Sequence, residues 1–489
     1  MVKPAEPEWG ALAGDGPLSP AEIDAQARAL LAQMTLTEKI KQMSGDRSFL
    51  FGGIKMARAY NAEPVPAGEN HRLGIPGIRF TDGPRGVVMY HSTCFPVAMA
   101  RGASWDVELE ARIGDAIGVE ARAQGANYFG GVCINLLRHP GWGRAQETYG
   151  EDPHHLGEMG AALVRGVQRH IMACIKHYAC NSIERSRFKV NVVVDERALH
   201  EVYLPHFRRC VEAGAASVMS AYNKVNGEYC SHNQRLLTGI LRDEWGFDGF
   251  VLSDFVFAVR DAKAAALAGL DVEMPFPLHY GRRLERLVRT GEVPEAVVDA
   301  AVLRILRQKL RFSRIGEPGR YTQDVVAGPA HRALAREAAE QSAVLLKNDP
   351  LAGQPLLPIA PEVRRIALLG RLAAVPNVGD EGSSAVHPPQ VVTPLEGLRR
   401  RSPGPEIVYV DGVNLAQAAE AARRCDLAVV VAGYTHADEG EYIAVVPLIA
   451  KNCPYVNKKC CIARHIVGKS GDGKSTEAKV VLWQTIRLT

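Results

Sequence analysis

Five short apolar runs in the first half of the chain end in side chains able to do chemistry. They deliver Thr81-Asp82, Arg138-His139, Lys176-His177, Tyr222-Asn223 and Ser253-Asp254. Carboxylates, cations, an imidazole and a phenol brought to one place can supply a nucleophile, a proton donor and fixed hydrogen-bond partners for a polar substrate. Any one such pair reads equally well as a helix cap or a strand-end ion pair. Five of them at the same end of successive strands point to a site, because the C-terminal face of a parallel barrel is where such a fold gathers its chemistry. The sharpest of the five is Gly249-Phe250-Val251-Leu252-Ser253-Asp254-Phe255, a buried-strand pattern that runs straight into a carboxylate.

These residues need a scaffold that repeats. Short apolar runs at Ile75 to Phe80, Cys133 to Leu137, Ile171 to Ile175, Ala216 to Ala221, Gly249 to Leu252 and Leu270 to Met274 alternate with amphipathic stretches such as Val107 to Arg122, Glu196 to Glu212 and Gln234 to Glu244. Alternation at this spacing predicts right-handed crossovers and a parallel sheet, and so many units favour a closed ring of strands. Six strands are read directly; eight is an extrapolation. Ahead of them, Ser19-Pro20-Ala21-Glu22 and Thr35-Leu36-Thr37-Glu38 each carry the N-cap and acid spacing that opens a helix.

After a helical stretch around Val302 to Leu310, Ser313 to Tyr321 reads as a linker, with Gly316, Pro318 and Gly319. A second α/β unit follows, with a helix predicted over His331 to Leu346, strands at Arg365 to Leu369, Glu406 to Val410 and Leu427 to Ala432, and a helix over Leu415 to Arg424. Between its first two strands, Gly379-Asp380-Glu381-Gly382-Ser383-Ser384 forms a loop whose hydroxyls, Ser384 among them, could face a ligand.

Composition narrows the partners. Fifty-eight basic and 54 acidic residues leave a formal charge of +4, too weak a field to suggest nucleic acid or an anionic membrane surface. A small, neutral or weakly charged molecule fits better. No apolar run approaches a membrane span, and Pro4, Glu6, Glu8 and Asp15 interrupt what a signal peptide would need, so a soluble cytoplasmic protein is expected. The ten cysteines lack the spacing of a disulfide scaffold and read as reduced packing residues. No cofactor and no metal are called for, and association into a homo-oligomer is left open.

Several stretches together resemble family 3 glycoside hydrolases, the β-glucosidase-like enzymes. They are Thr81-Asp82-Gly83-Pro84-Arg85-Gly86, Gly143-Arg144 ahead of Glu147-Thr148-Tyr149-Gly150-Glu151-Asp152-Pro153, Lys176-His177, Ser220-Ala221-Tyr222-Asn223, and the strand ending in Ser253-Asp254-Phe255. The resemblance runs from about Thr35 to about Ile443. It implies an α/β protein in which a (β/α)8 TIM-like barrel over residues 1–312 is joined by a linker over 313–335 to an α/β sandwich domain over 336–443. It also implies a retaining, exo-acting β-glycosidase working by double displacement on a small-molecule glycoside or oligosaccharide. Asp254 would be the nucleophile, while Asp82, Arg144, Lys176, His177, Arg187 and Tyr222 would hold the sugar. The cations Arg144 and Lys176 would favour an ionised Asp254. A retaining mechanism needs a second carboxyl. In this family it follows an apolar strand of the second domain, where His436-Ala437-Asp438-Glu439-Gly440-Glu441 stands; Glu439 is the first choice and Glu441 the second. The loop Tyr178-Ala179-Cys180-Asn181-Ser182-Ile183-Glu184 lacks the His-Asp dyad of the family's N-acetylglucosaminidases, which favours a β-glucosidase or β-xylosidase type. Phe255 stands where many relatives have tryptophan and could still floor the sugar site.

Residues 444–489 depart from the family pattern, and a frameshifted or truncated, incomplete second domain is the simplest expectation. Gly468-Lys469-Ser470-Gly471-Asp472-Gly473-Lys474-Ser475-Thr476 matches a phosphate loop but lacks room for the following helix and strand. Cys453, Cys460, Cys461 and His465 match no standard zinc spacing. Three rivals stay open: a glycoside phosphorylase on the same scaffold, a truncated and catalytically impaired sugar-binding protein, and a barrel aldolase using Lys176. The last is disfavoured because carboxylate company keeps a lysine protonated.

Overall fold

The computed structural model describes residues 12–14, 16–317, 319–350, 353–401, 404–438, 440–441 and 480–484. Its contacts divide the chain into two units, Met1–Gln341 with Glu381–Pro389, and Ser342–Asp380 with Gln390–Thr489.

Thirteen strands occur among the described residues. Those of the first unit are β1 (Val65–Ala67), β2 (Ile78–Thr81), β3 (Tyr128–Cys133), β4 (Met172–Tyr178), β5 (Asn191–Val192), β6 (Ser217–Ser220), β7 (Lys224–Val225), β8 (Glu228–Tyr229) and β9 (Phe250–Ser253). The main sheet has the order β1-β2-β3-β4-β6-β9, parallel throughout except for the antiparallel first pair, while β5, β7 and β8 form a small patch of their own. That first pair corrects the expectation of an all-parallel sheet. Residues 68–77 between β1 and β2 are too few for a crossover helix, so the chain can only turn back.

The sheet curls until its edges meet. Leu252 bridges Val272, Glu273 bridges Ser44, and Gly45 bridges Ala67 of β1. Gly45 N–H donates to the Glu273 carbonyl at 3.0 Å, and Gly68 N–H donates to the Ser44 carbonyl at 3.2 Å. Six strands and two bridge-length staves thus form a ring that is TIM-like at the coarse level. At the seam only glycine fits: a Cβ on Gly45 would lie 1.9 Å from the Pro275 carbonyl oxygen. Inside, Phe80, Tyr128 and Phe250 pack ring on ring at 5.6 and 5.9 Å, and the Tyr128 hydroxyl meets Ser217 Oγ at 2.7 Å. This is a filled core, as barrel interiors are.

Both predicted capping boxes are present, at Ser19 with Glu22 and at Thr35 with Glu38. Three elements differ from expectation. The third strand is Tyr128–Cys133, not Cys133 to Leu137. Its Gly130 and Gly131 suggest a loop, yet Cβ atoms there would lie 2.2 Å from Phe80 and from Phe129, so close ring packing demands glycine within the strand. The stretch Glu196 to Glu212 breaks at Leu204, because Pro205 brings no N–H and starts a new helix, Pro205–Glu212. The helix predicted to reach Leu346 ends at Gln341. The cysteines of the first unit are free and buried, as expected of packing residues. Among the described residues no helix is long and apolar enough to cross a membrane.

The second unit has β10 (Arg365–Leu369), β11 (Glu406–Val410), β12 (Leu427–Ala432) and β13 (Val480–Gln484) in a parallel sheet of order β11-β10-β12-β13. Alternate residues bury opposite faces: Ile366, Leu368, Val429 and Val431 on one side, Ala367, Leu369, Ala428 and Val430 on the other. That is the two-faced burial of a sheet covered by helices. The phosphate-loop-like run and Cys453, Cys460, Cys461 and His465 lie outside the described residues.

Candidate active site

Asp254 follows β9 directly and is 7% exposed. Its backbone N–H donates to the Ser220 carbonyl at 3.2 Å, tying the turn to β6, and its Oδ1 accepts the Phe255 N–H at 2.7 Å. The carboxylate is therefore fixed through one oxygen, and Oδ2 lies 3.5 Å from His177 Nε2.

His177 is oriented by groups that leave one tautomer. Arg144 Nη1, 3.2 Å from Nε2, can only donate, so Nε2 accepts and Nδ1 carries the proton toward Asn135 Oδ1 at 3.0 Å. Asn135 in turn donates to the His177 carbonyl and accepts its N–H. Arg144 is held in a two-pronged pair with Glu147, at 2.9 and 2.7 Å, and its Nη2 also donates to Ser383 Oγ at 3.1 Å. Planar forks of this kind fix a guanidinium in direction as well as place.

Lys176 and Asp82, from the ends of β4 and β2, meet at 2.5 Å, and the Tyr60 hydroxyl donates to the other Asp82 oxygen at 2.9 Å. Burial is the largest influence and pulls the Lys176 ammonium toward neutrality, but the Asp82 carboxylate, with Glu147 adding to it, leaves the group above the ordinary lysine value. Lys176 is thus a fixed cation rather than a free amine, which disfavours Schiff-base chemistry. Arg187 donates from Nη1 to Glu184 Oε1 at 2.5 Å, and Glu184 accepts the Trp142 indole N–H at 3.4 Å. The guanidinium lies 4.9 Å from the ring centre of Tyr222, whose hydroxyl donates to the Phe255 carbonyl at 2.8 Å. Phe255 packs on Phe80 at 4.8 Å and on Tyr60 at 6.5 Å, beside the carboxylates of Asp82 and Asp254.

The expected residues Asp82, Arg144, Lys176, His177, Arg187, Tyr222 and Asp254 are linked by these contacts in the first unit. Arg138 and His139 do not join them: both are exposed, because the strand before them ends earlier than its apolar run suggests. Asn135, from that same connection, turns inward instead. On the 381–389 segment, Ser383 reaches Arg144, whereas Ser384 is buried with no hydrogen-bond partner for its Oγ among the described residues. Glu441, in the second unit, has its N–H bound to Asp380 Oδ2 at 2.9 Å, and Gly440 packs on the same carboxylate. Glu439 lies outside the described residues. Sequence reasoning missed Tyr60, Asn135, Glu147, Glu184 and Ser383 as positioning residues. For two of them the signal was present, since Glu147 and Glu184 each stand three residues from the arginine they hold. No group of His, Cys, Asp and Glu able to hold a metal occurs among the described residues.

Residues 55–308 match the Glycosyl hydrolase family 3 N terminal domain, and residues 343–453 match the Glycosyl hydrolase family 3 C-terminal domain. The chain is 36% identical over 444 residues to Thermostable beta-glucosidase B of Acetivibrio thermocellus, covering 85% of this chain and 55% of the relative. It is 39% identical over 381 residues to a Beta-glucosidase of Rhizobium radiobacter, covering 76% of this chain and 44% of the relative. It therefore spans about half the length of the curated relatives it matches. Among solved structures, beta-glucosidase 3B from Thermotoga neapolitana in complex with glucose superimposes with a TM-score of 0.76 at 28% identity, over 94% of this chain and 68% of that one. Beta-D-glucoside glucohydrolase from Trichoderma reesei gives 0.79 at 27% identity, over 94% and 66%. With more than half of its residues under the N-terminal domain and nearly half of the rest under the C-terminal one, the chain belongs to glycosyl hydrolase family 3.

Proposed function

We propose that the chain is a β-glucosidase-type hydrolase that removes terminal β-linked glucose by double displacement. The observation that carries this reading is the Asp254 carboxylate, pinned through Oδ1 with Oδ2 turned to His177, and set among three charge pairs that are already satisfied. Asp254 Oδ2 attacks the anomeric carbon while the leaving oxygen takes a proton from a second carboxyl. Water then attacks the glycosyl-enzyme, giving its proton back to that carboxyl. Asp82, Lys176, Arg144, His177, Arg187 and Tyr222 bind the sugar hydroxyls, with donors and acceptors held in advance by Glu147, Glu184 and Asn135. Such fixed partners favour a hydroxyl-rich ring over a substrate that would leave them unpaired. Glu439 or Glu441 supplies the acid/base; the anchoring of Gly440 and Glu441 to Asp380 supports a defined turn there.

The reading draws further support from relatives named as beta-glucosidases. It is tested with a 2-deoxy-2-fluoro-β-glucoside bearing a good leaving group. The expected result is a single glycosylated peptide containing Asp254. Labelling at another carboxylate, or turnover with inverted anomeric configuration, sinks the proposal.

A further inference from the structure

The chain leaves β12 at Ala432 and enters the loop 433–441, in which Glu439 and Glu441 stand on either side of Gly440. That loop is held by a short stretch of its own unit. Asn377 Nδ2 donates to the Tyr434 carbonyl at 2.9 Å, and three residues later Asp380 Oδ2 accepts the Glu441 N–H at 2.9 Å. Between the two clamps Asp438 Oδ2 accepts the Thr435 N–H at 2.9 Å and the Thr435 hydroxyl at 3.0 Å, closing a turn. Gly440 stands at φ 149°, in backbone that other residues rarely adopt, and a Cβ there would lie 2.4 Å from Asp380 Oδ1. Asp380 is itself only 6% exposed. Both of its oxygens bear on the two residues 440 and 441.

We infer that Asp380 is the positioning residue for the proton donor, acting through the Gly440–Glu441 backbone on the departure of the leaving group. This rests on the glycosidase reading above, in which Glu439 or Glu441 is the acid/base. Each candidate is Gly440 plus or minus one peptide bond, so a carboxylate that fixes this backbone fixes where either side chain begins. A glycine left unclamped would let the donor sample many directions, since no residue gives the backbone more freedom. Proton transfer to a departing oxygen needs the donor within hydrogen-bond reach, and a misplacement of about 1 Å can cost on the order of a hundredfold in rate. Asp380 removes the freedom of the glycine at the step that tolerates it least.

The test compares kcat/KM of the full chain on two substrates that differ in their need for a proton. A 2,4-dinitrophenolate departs readily as an anion, whereas phenolate departs well only when protonated. Asp380→Ala should lower kcat/KM for phenyl β-glucoside about a hundredfold and that for 2,4-dinitrophenyl β-glucoside less than about threefold. Asp380→Asn keeps an oxygen able to accept the Glu441 N–H and should recover most of the loss. Hydrogen exchange in the peptide containing Glu441, which does not depend on turnover, should speed about tenfold in Asp380→Ala. An equal fall on both substrates, or unchanged exchange at Glu441, overturns the inference. A wild-type chain that hydrolyses neither glucoside, while exchange at Glu441 depends on Asp380, refutes the hydrolase reading and leaves the clamp standing. One that hydrolyses both, with Asp380→Ala indifferent to the leaving group, does the reverse.

Discussion

The ion pairs at the site in the first unit and those of the second unit use charge in opposite ways. At the strand ends of the curled sheet, Arg144–Glu147, Lys176–Asp82 and Arg187–Glu184 are buried pairs with side chains between 1% and 5% exposed. In the second unit, Arg365–Glu406 and the Arg423 and Arg424 pairs with Glu420 lie at the surface, 44% to 72% exposed. A buried pair recovers little more than its desolvation cost, so it is weak evidence for stability, while losing one partner strands a charge. Surface pairs are screened and nearly dispensable. The contrast teaches that the site keeps its buried ions for their direction, whereas surface pairs such as those of the second unit serve solubility.

That contrast can be broken in four places. Asp254→Asn should abolish hydrolysis of an aryl β-glucoside by on the order of a thousandfold or more in kcat, with the fold intact by circular dichroism. Residual activity above that level would mean another group is the nucleophile. Glu147→Gln removes half of the Arg144 pair and should cost about 3 kcal/mol in urea denaturation, with kcat/KM falling alongside. A near-neutral result would show that Arg144 finds a substitute and that the buried pairs are not what holds the site.

Lys309 sharpens the comparison, being a buried cation of the first unit whose hydrogen bonds go to Gln42 Oε1 and the Gly68 carbonyl. Burial lowers it from 10.5 to about 7. Between those values the unfolded chain holds a proton that the folded chain has released, so stability should rise with pH across that window. Relative to Lys309→Met, the wild type should gain on the order of 3 kcal/mol from pH 7 to pH 10. A flat difference would show that the amine stays charged in the fold. Smallest of all, Glu406→Gln should shift stability by about 0.5 kcal/mol or less, and less still in high salt.

How much of this could be read from the residues follows the same division. Lys176, His177, Asp82 and Asp254 close apolar runs, and a run that ends in charge is visible in one dimension. So are β10 to β12, whose predicted bounds match the structure. Asn135 was hidden because two glycines made its strand look like a loop and moved the expected polar end to Arg138 and His139. Tyr60 lay in a stretch with no strand pattern at all, and it meets Asp82 only because β1 turns back onto β2. Asp380 was equally silent: nothing in Gly379-Asp380-Glu381 announces that its carboxylate accepts the N–H of Glu441, 61 positions later. Local pattern carried the elements, and long-range contact carried the second layer of the site.

The seam at Ser44 and Gly45 bears on how the protein is made. Those residues emerge early in synthesis, yet their shared partner Glu273 comes more than two hundred positions later. The ring therefore cannot shut while the chain is still being threaded through its middle strands, and closure is a slow, non-local step in the order of folding. Once shut, the seam is secured by single bridges where its neighbours have full ladders, so amide exchange should begin there. The breathing of the finished protein retraces the last stitch of its assembly.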